Sequence, residues 1–410
     1  MPDDPIVPAA QPESNNSVEN ITEVTPQFLE DLRADILHHF ESLQLPALFG
    51  GTNGILSKDN IRASHSNQRS DIFEREYKVL APYWDRLLSH IANGDEVTPD
   101  TISPELIPVS SEDETGRLFR FASLLWSVPV SHGYGRRMRF LVRDRSNQKL
   151  IGIFALGDPV FNLQCRDRWI GWDVNDRRAR LVNMMDAYVL GAVPPYNQLL
   201  GGKLVASLIG SQEVNQLFLD RYGASRGVIS KKKKSPRLVL VTVTSALGRS
   251  SLYNRLKLIQ GDRTLIQYLH IGETRGFGHF QISNGLFERL RTLLAVENHP
   301  YASGHQFGQG PNWRLRVTRV GLARLGLDDN LVQHGINRQV YAMPLAPDFK
   351  EFLCGHIPTP VVDCPTASEI AIAALNRWVL PRAGRNPEYA NFHREQLLKD
   401  FQHIWIPKEI

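Results

Sequence analysis

The chain has little cysteine. Cys165, Cys354 and Cys364 are its three in 410 residues, too few and too scattered for a disulfide framework, which fits a reducing compartment. It has no apolar run near the ~18 residues of a membrane span. Its N-terminus lacks the basic-then-apolar layout of a secretory signal. These absences lead to the expectation of a cytoplasmic protein. Gly-x4-Gly-Lys-Ser/Thr occurs nowhere, so the chain is not expected to hydrolyse ATP, and a partner would have to supply any motor. Cys354-x-His356 followed by Cys364 offers donors for zinc but no fourth ligand nearby, so no metal is expected. The first 24 residues hold no lysine or arginine, yet carry Asp3, Asp4, Glu13, Glu19 and Glu23. Residues 1–24, poor in large apolar side chains, read as a disordered acidic tail.

The hydrophobic fraction of 42% and charged fraction of 22% are ordinary for a globular chain. The formal net charge is +4. Because the tail alone carries −5, the rest is +9. A basic body points to an anionic partner, with nucleic acid, and DNA in particular, the first candidate. The alternative is a mildly basic surface.

Thr25-Pro26 reads as the cap and first residue of a helix. Helical spacing continues through Phe28, Leu32 and Ile36, again across 71–92, and again at 116–126. Residues 25–125 are therefore expected to be a mainly helical N-terminal region. The pattern then changes. "RMRFLVRD" (137–144) and "KLIGIFAL" (149–156) flank a polar turn and predict a hairpin. "RDRWIGWD" (166–173) is a further strand candidate, and a short helix follows near Asp176. "VNMMDAYVL" (182–190) and "RLVLVTVT" (237–244) read as buried strands. A glycine-bearing loop and a helix over roughly 202–222 lie between them. A short helix is expected at 249–257 and a strand at 264–272. Residues 126–285 thus form a mixed-sheet core domain. Residues 286–410 form a C-terminal α/β region, with helices at 284–296, 312–326, 366–379 and 389–401 and a strand at 338–345. The fold class is α+β.

Gly201-Gly202-Lys203 sits after a strand and before a helix. Backbone amides bared at such a turn, reinforced by the helix dipole, can cradle a phosphate; the alternative is a tight turn. Asp186, on the preceding strand, needs a partner if buried. The plain reading is an aspartate satisfied by arginine or by backbone amides. Arg166, Arg168 and Trp169 mix charge with aromatic surface. They suit either a nucleic-acid clamp or an internal ion-pair network with tryptophans in the core. "GETRGFGH" (272–279) puts Glu273, Arg275 and His279 among glycines, as a pocket-lining loop or a hairpin turn. Lys231, Lys232, Lys233 and Lys234 form a charge run that can add phosphate affinity or merely be solvated. Arg316 and Arg319 are three apart in an expected helix and share one face, which binds DNA or simply meets solvent.

Gln198-Leu199-Leu200-Gly201-Gly202-Lys203 resembles the coenzyme A loop of the GNAT acetyltransferase superfamily, Gln/Arg-x-x-Gly-x-Gly/Ala. Gln198 and Gly201 match, and Lys203 departs at the last position. The resemblance implies a GNAT-like mixed-sheet core. It also implies coenzyme A, or a related acyl donor, near Gln198, Gly201, Gly202 and Lys203. Tyr253, after the strand at 237–244, falls where such enzymes often carry a tyrosine general acid; the plain alternative is a ring packed on the sheet.

Longer stretches carry a second resemblance. "GYGRRMRFLVRD", "LVNMMDAYVLGAVPPYNQLLGGKLVASL", "TSALGRSSLYNRL" and "RWVLPRAGRNPEY" resemble the DruA family of Druantia anti-phage systems, over about residues 100–390. That implies a defence role alongside other subunits, including a separate ATP-driven motor. It leaves the chemistry open. The 183–257 segment is also similar in element order to the phage Mom family of DNA-modifying proteins, and that likeness implies a place for Asp186 near the modified base or a metal. Three readings remain. The chain is a nucleic-acid-recognising or assembly subunit on a GNAT-like scaffold, a cofactor-dependent group transferase, or a DNA-binding accessory protein of mobile elements.

Overall fold

The computed structural model describes residues 24–42, 57–130, 135–226, 233–274, 282–304, 313–332 and 337–404. The proposed acidic tail (to residue 23), Lys231, Lys232, Arg275 and His279 lie outside them. No helix among the described residues is long and apolar enough to cross a membrane.

The chain divides into two compact units. One comprises residues 1–42 and 282–331, the other 43–281 and 332–410. The smaller contains the helices Pro26–Ser42, Asn284–Val296 and Trp313–Arg324. Thr25 caps the first helix by accepting the Phe28 amide at 3.2 Å, and Ser283 caps the second through Leu286. A Cβ on Gly321 would lie 2.7 Å from Leu290, so glycine lets these two helices touch closely. Leu32, Ile36, Leu290, Leu293, Val317 and Leu322 are buried.

The larger unit is built on a seven-stranded mixed sheet. Its strands are β1 (Pro104–Pro108), β2 (Arg137–Asp144), β3 (Leu150–Gly157), β4 (Met184–Ala192), β7 (Leu240–Thr244), β10 (Leu269–Glu273) and β11 (Gln339–Pro344). The spatial order is β1-β2-β3-β4-β7-β11-β10. Every pairing is antiparallel except β4 with β7. Two-stranded hairpins, β5/β6 (Ser225–Arg226, Lys233–Lys234) and β8/β9 (Lys257–Gln260, Arg263–Gln267), flank it.

Period-two alternation puts Met138, Phe140 and Val142 of β2 on one face with Phe154, Met185, Val241 and Met343. The helices Gly201–Leu208 and Ala367–Ala374 cover that face. The opposite face presents Leu141, Ile153, Ala155 and Val189 to the helices Ser66–Leu80 and Glu114–Ser123. A third cluster, Ile170, Trp172, Met184, Leu240, Ala342 and Phe352, closes the same face further along.

The hairpin at 137–156, the parallel strands at 184–192 and 240–244 and the helix near Asp176 (Val174–Arg180) stand where the sequence predicted them. Four expectations need correction. "RDRWIGWD" is the helix Gln164–Ile170, not a strand. It buries Arg166 and Ile170 on one side and stops at Gly171, whose φ is 96°. The helix expected over 202–222 is two helices, Gly201–Leu208 and Gln212–Tyr222. At Gly210 a Cβ would strike Ile266 at 2.5 Å, and Ser211 restarts the helix as a cap. No helix forms at 249–257; there the Ser250 hydroxyl takes the Leu252 and Tyr253 amides, and Arg255 has positive φ. The single strand at 264–272 is β9 and β10 in different sheets, split at buried Tyr268, whose hydroxyl donates to the Ala206 carbonyl at 2.8 Å.

Candidate functional site

The glycine loop leaves β4 through the cis peptide Pro194-Pro195 and a 3-10 turn, Tyr196–Leu199. The buried Tyr196 hydroxyl donates to Asp144 at 2.9 Å, which ties the turn to the β2–β3 hairpin. Leu200 then adopts φ 60° and the helix begins at Gly201. Gly201 is buried, and a Cβ there would lie 2.6 Å from the Tyr196 carbonyl oxygen. At Gly202 it would meet Leu252 at 3.2 Å. The glycines therefore serve a close crossing of chain segments. The Gln198 carbonyl accepts from Arg382 at 3.1 Å. The Lys203 ammonium sits 5.4 Å from the Trp378 ring centre. Burial, and then Arg377, pulls its pKa down.

Tyr253 is buried. It stacks on Tyr268 (5.5 Å, 24°) and leans on Tyr341 (5.5 Å), and burial raises its pKa. Leu252, next to Tyr253 in the chain, packs against the same core and faces Gly202. Asp186 pairs with Thr242 across the parallel strands. It accepts the Thr242 hydroxyl on one oxygen and the Val160 amide, at 3.3 Å, on the other. Burial raises its pKa, and Thr242, Arg166 and Val160 pull it back. Asp186 thus has its own partners, and Tyr253 is enclosed by two aromatic rings. Glu273 is exposed at the end of edge strand β10, opposite Gln339.

Arg166 is fully buried. Its guanidinium holds Asp167 at 2.7 and 2.9 Å and the carbonyls of Val160 and Phe161. Arg177 takes the other Asp167 oxygen at 2.6 Å. Trp169 stacks on Phe349, and Trp172 donates to the Leu353 carbonyl at 2.8 Å. Of the two sequence readings, this is the internal ion-pair network with tryptophans in the core, and Arg166 is withdrawn from any external phosphate. Arg168 is exposed. Lys233 and Lys234 form β6, paired with Ser225–Arg226. In the smaller unit Arg316 is exposed and Arg319 half-buried. Their neighbour Arg314 turns inward, 4.3 Å from the Phe287 ring centre, and donates to Asn284 and the Ile282 carbonyl.

The sequence reading passed over a different cluster. A cleft of about 180 Å³ opens between the sheet and the helices Ser66–Leu80 and Glu114–Ser123. Arg69, Arg75, Arg120, Arg137 and Arg139 line it against one carboxylate, Glu76. Glu76 holds Arg120 at 2.6 Å and Arg75 at 3.4 Å. Phe73, Phe119, Trp126 and Tyr188 supply aromatic surface. Arg137, Arg139 and Tyr188 are the sheet residues that line it. Arg139 stands opposite Ala155, and Ala155 opposite Val189. At that point the β3–β4 register slips: Ala155 pairs with Val189 and Leu156 with Ala187. Tyr188 is the extra residue of this bulge, a device that re-aims a side chain. Pairing of β4 with β7 ends one residue earlier, at Ala187. On the far side Trp126 donates to the Leu190 carbonyl at 3.4 Å and presses on Gly191, where a Cβ would be 2.6 Å away.

The electrostatics of the cleft are one-sided. Burial, together with Arg137, Arg221 and Arg120, lowers the Arg139 pKa, and Tyr188 offsets this in part. Burial raises the Tyr188 pKa against the pull of Arg139 and Arg137. An anion entering here would relieve repulsion among guanidiniums, whose forked donors fit phosphate oxygens. The sequence signal was Arg137-x-Arg139 at strand spacing, which puts both arginines on one face of β2. Among the described residues no group of three or more His, Cys, Asp or Glu could hold a metal.

No solved structure matches this chain. A family model described as Druantia protein DruA matches residues 55–355. A Druantia protein DruA of Escherichia coli (strain UMEA 4076-1) is 52% identical over 335 residues, 81% of this chain and 82% of the relative. The arginine cleft, the glycine turn and the Asp186–Thr242 pair all fall inside the matched span. The chain therefore belongs to the DruA family of Druantia anti-phage defence systems.

Proposed function

We propose that this chain is the nucleic-acid-recognising subunit of its defence system, built on a GNAT-like sheet and relying on a separate subunit for any ATP-driven work. The observation that carries the reading is the cleft lined by five arginines and one carboxylate with four aromatic rings. Guanidiniums suit phosphates and rings suit bases, and the combination in one recess is what a nucleic-acid strand can use. The GNAT-like scaffold is supported by chain order: a bulged strand, a glycine-bearing turn, a helix and a parallel neighbouring strand. The tight crossing at Gly201 and the Leu252 side chain against Gly202 favour recognition over cofactor-dependent transfer.

The test is fluorescence anisotropy of labelled DNA and RNA oligonucleotides with the full chain over a salt series. Affinity should fall as salt rises, with a log–log slope of about −0.7 per neutralised phosphate on a single strand. Arg137→Glu, at an exposed position, should weaken binding while keeping the thermal midpoint. A wild-type chain that binds no oligonucleotide of either kind would sink the reading.

A further inference from the structure

The cleft narrows the class of nucleic acid, given that the chain recognises nucleic acid at all. Resting on that reading, we propose that the cleft receives one unpaired nucleotide of a single strand, with its phosphate on Arg137 and Arg139 and its base against the aromatic walls. Three observations carry this.

The first is size. The recess holds about 180 Å³, on the order of six waters at ~30 Å³ each. That is room for one base, with its phosphate at the mouth, where Arg137 is exposed. It falls short of the ~300–1,000 Å³ usual for a whole drug-sized ligand or cofactor.

The second is shape. A duplex keeps its bases stacked inside and is read by protein elements that project into a groove. A concave recess between the sheet and two helices offers nothing to project. It can be entered only by a group already out of a stack, as in single-strand recognition.

The third is the pairing of two chemistries in one recess. Arg137 and Arg139 stand two residues apart on one face of β2. Backbone bonds fix their strand. The Tyr222 hydroxyl accepts the Arg137 amide at 3.1 Å and donates to its carbonyl at 3.0 Å, and the Arg139 carbonyl accepts the Val109 amide at 2.9 Å. Tyr188 faces them from the β4 bulge, and Trp126, held by the Leu190 carbonyl, closes the far side. The helical walls add Arg69, Arg75 and Arg120 beside Phe73 and Phe119, so forked donors and rings stand within reach of one another, as a sugar-phosphate and its base require.

The experiment measures three probes by anisotropy or competition with the full chain. They are a 12-nucleotide single strand, the same sequence as a blunt duplex, and a free nucleoside monophosphate. The expected result is single strand over duplex by at least about tenfold, the scale of one stacked base. Arg139→Lys keeps the charge and loses the fork, and it should lower single-strand affinity while leaving the duplex unchanged. Tyr188→Leu should erode the same preference. Thermal midpoints of both variants are measured, and Arg137→Gln, at an exposed position, repeats the test where folding is not at stake. Displacement of the strand by the monophosphate at comparable concentration would assign the site to a free nucleotide and overturn the strand proposal. Equal affinity for strand and duplex, indifferent to Arg139→Lys and Arg137→Gln, would overturn it while leaving nucleic-acid recognition intact. Loss of binding to all three probes would remove both.

Discussion

His65 shows how strongly one position can be tuned in this fold. It is 3% exposed at the cap of the helix Ser66–Leu80. Burial first, and the Arg338 charge second, depress its pKa from 6.5 to about 4 against the pull of Gln68. A protonated ring would also oppose the positive end of the helix. The unfolded chain takes the proton first as pH falls. This contribution to stability is therefore intact above 6.5 and lost progressively on the way down to about 4. At ~1.36 kcal/mol per unit the loss is at most about 3 kcal/mol. Urea titrations at pH 7, 5.5 and 4 should show the wild type losing more stability than His65→Gln over that range. Parallel curves for the two proteins would refute the assignment. Arg166 illustrates the opposite case, a buried ion whose hydrogen-bonding groups are all engaged inside, so its charge is an interior brace rather than a probe of the surroundings.

At the scale of elements, the turn at Gly201-Gly202 separates two kinds of glycine. At Gly201 the obstacle is a backbone oxygen at 2.6 Å, which cannot move without the 3-10 turn. At Gly202 it is the tip of the Leu252 side chain at 3.2 Å. Gly201→Ala should therefore cost about 1–3 kcal/mol by overpacking, whereas Gly202→Ala should lie within about 1 kcal/mol of wild type because the added helix propensity offsets a small shift. Chemical denaturation of the two variants measures this, and equal costs would count against the packing explanation.

The same segment marks what the sequence made legible. Strands such as "RLVLVTVT" and the "RMRFLVRD" hairpin announce themselves because both faces of this sheet are covered and their apolar residues are dense. "RDRWIGWD" misled because its tryptophans and isoleucine favour strands in isolation, while Gly171 and the Asp173 cap define helices on either side. The arginine cleft was half-visible. Arg137-x-Arg139 is a strand-period signal, but its other walls come from residues 69–76, 119–130 and 188, brought together only by the fold. Asp186 was readable as a buried carboxylate needing partners, and Thr242 and Val160 supply them.

The whole molecule is interrupted. The smaller unit takes its first helix from residues 26–42 and its others from 284–324, with most of the sheet unit encoded in between. Within it Asp35 pairs with Arg289, and the Arg289 guanidinium lies 5.7 Å from the Phe28 ring centre. Removing residues 1–42 takes away buried Leu32 and Ile36, worth about 1.5–3 kcal/mol each. Hydrogen exchange should then accelerate across 284–324 and stay unchanged across 137–192, where the sheet keeps its own core. Unchanged protection at 284–324 would mean that those helices do not depend on the first.

That arrangement has a consequence during synthesis. The helix at 26–42 leaves the ribosome about 240 residues before Asn284–Val296, against which it packs. At roughly 5–20 residues per second it waits about 10–50 s. Its apolar stripe is meanwhile offered to whatever the nascent chain or the cell brings near, and early handling by a chaperone becomes a property written into the order of the gene.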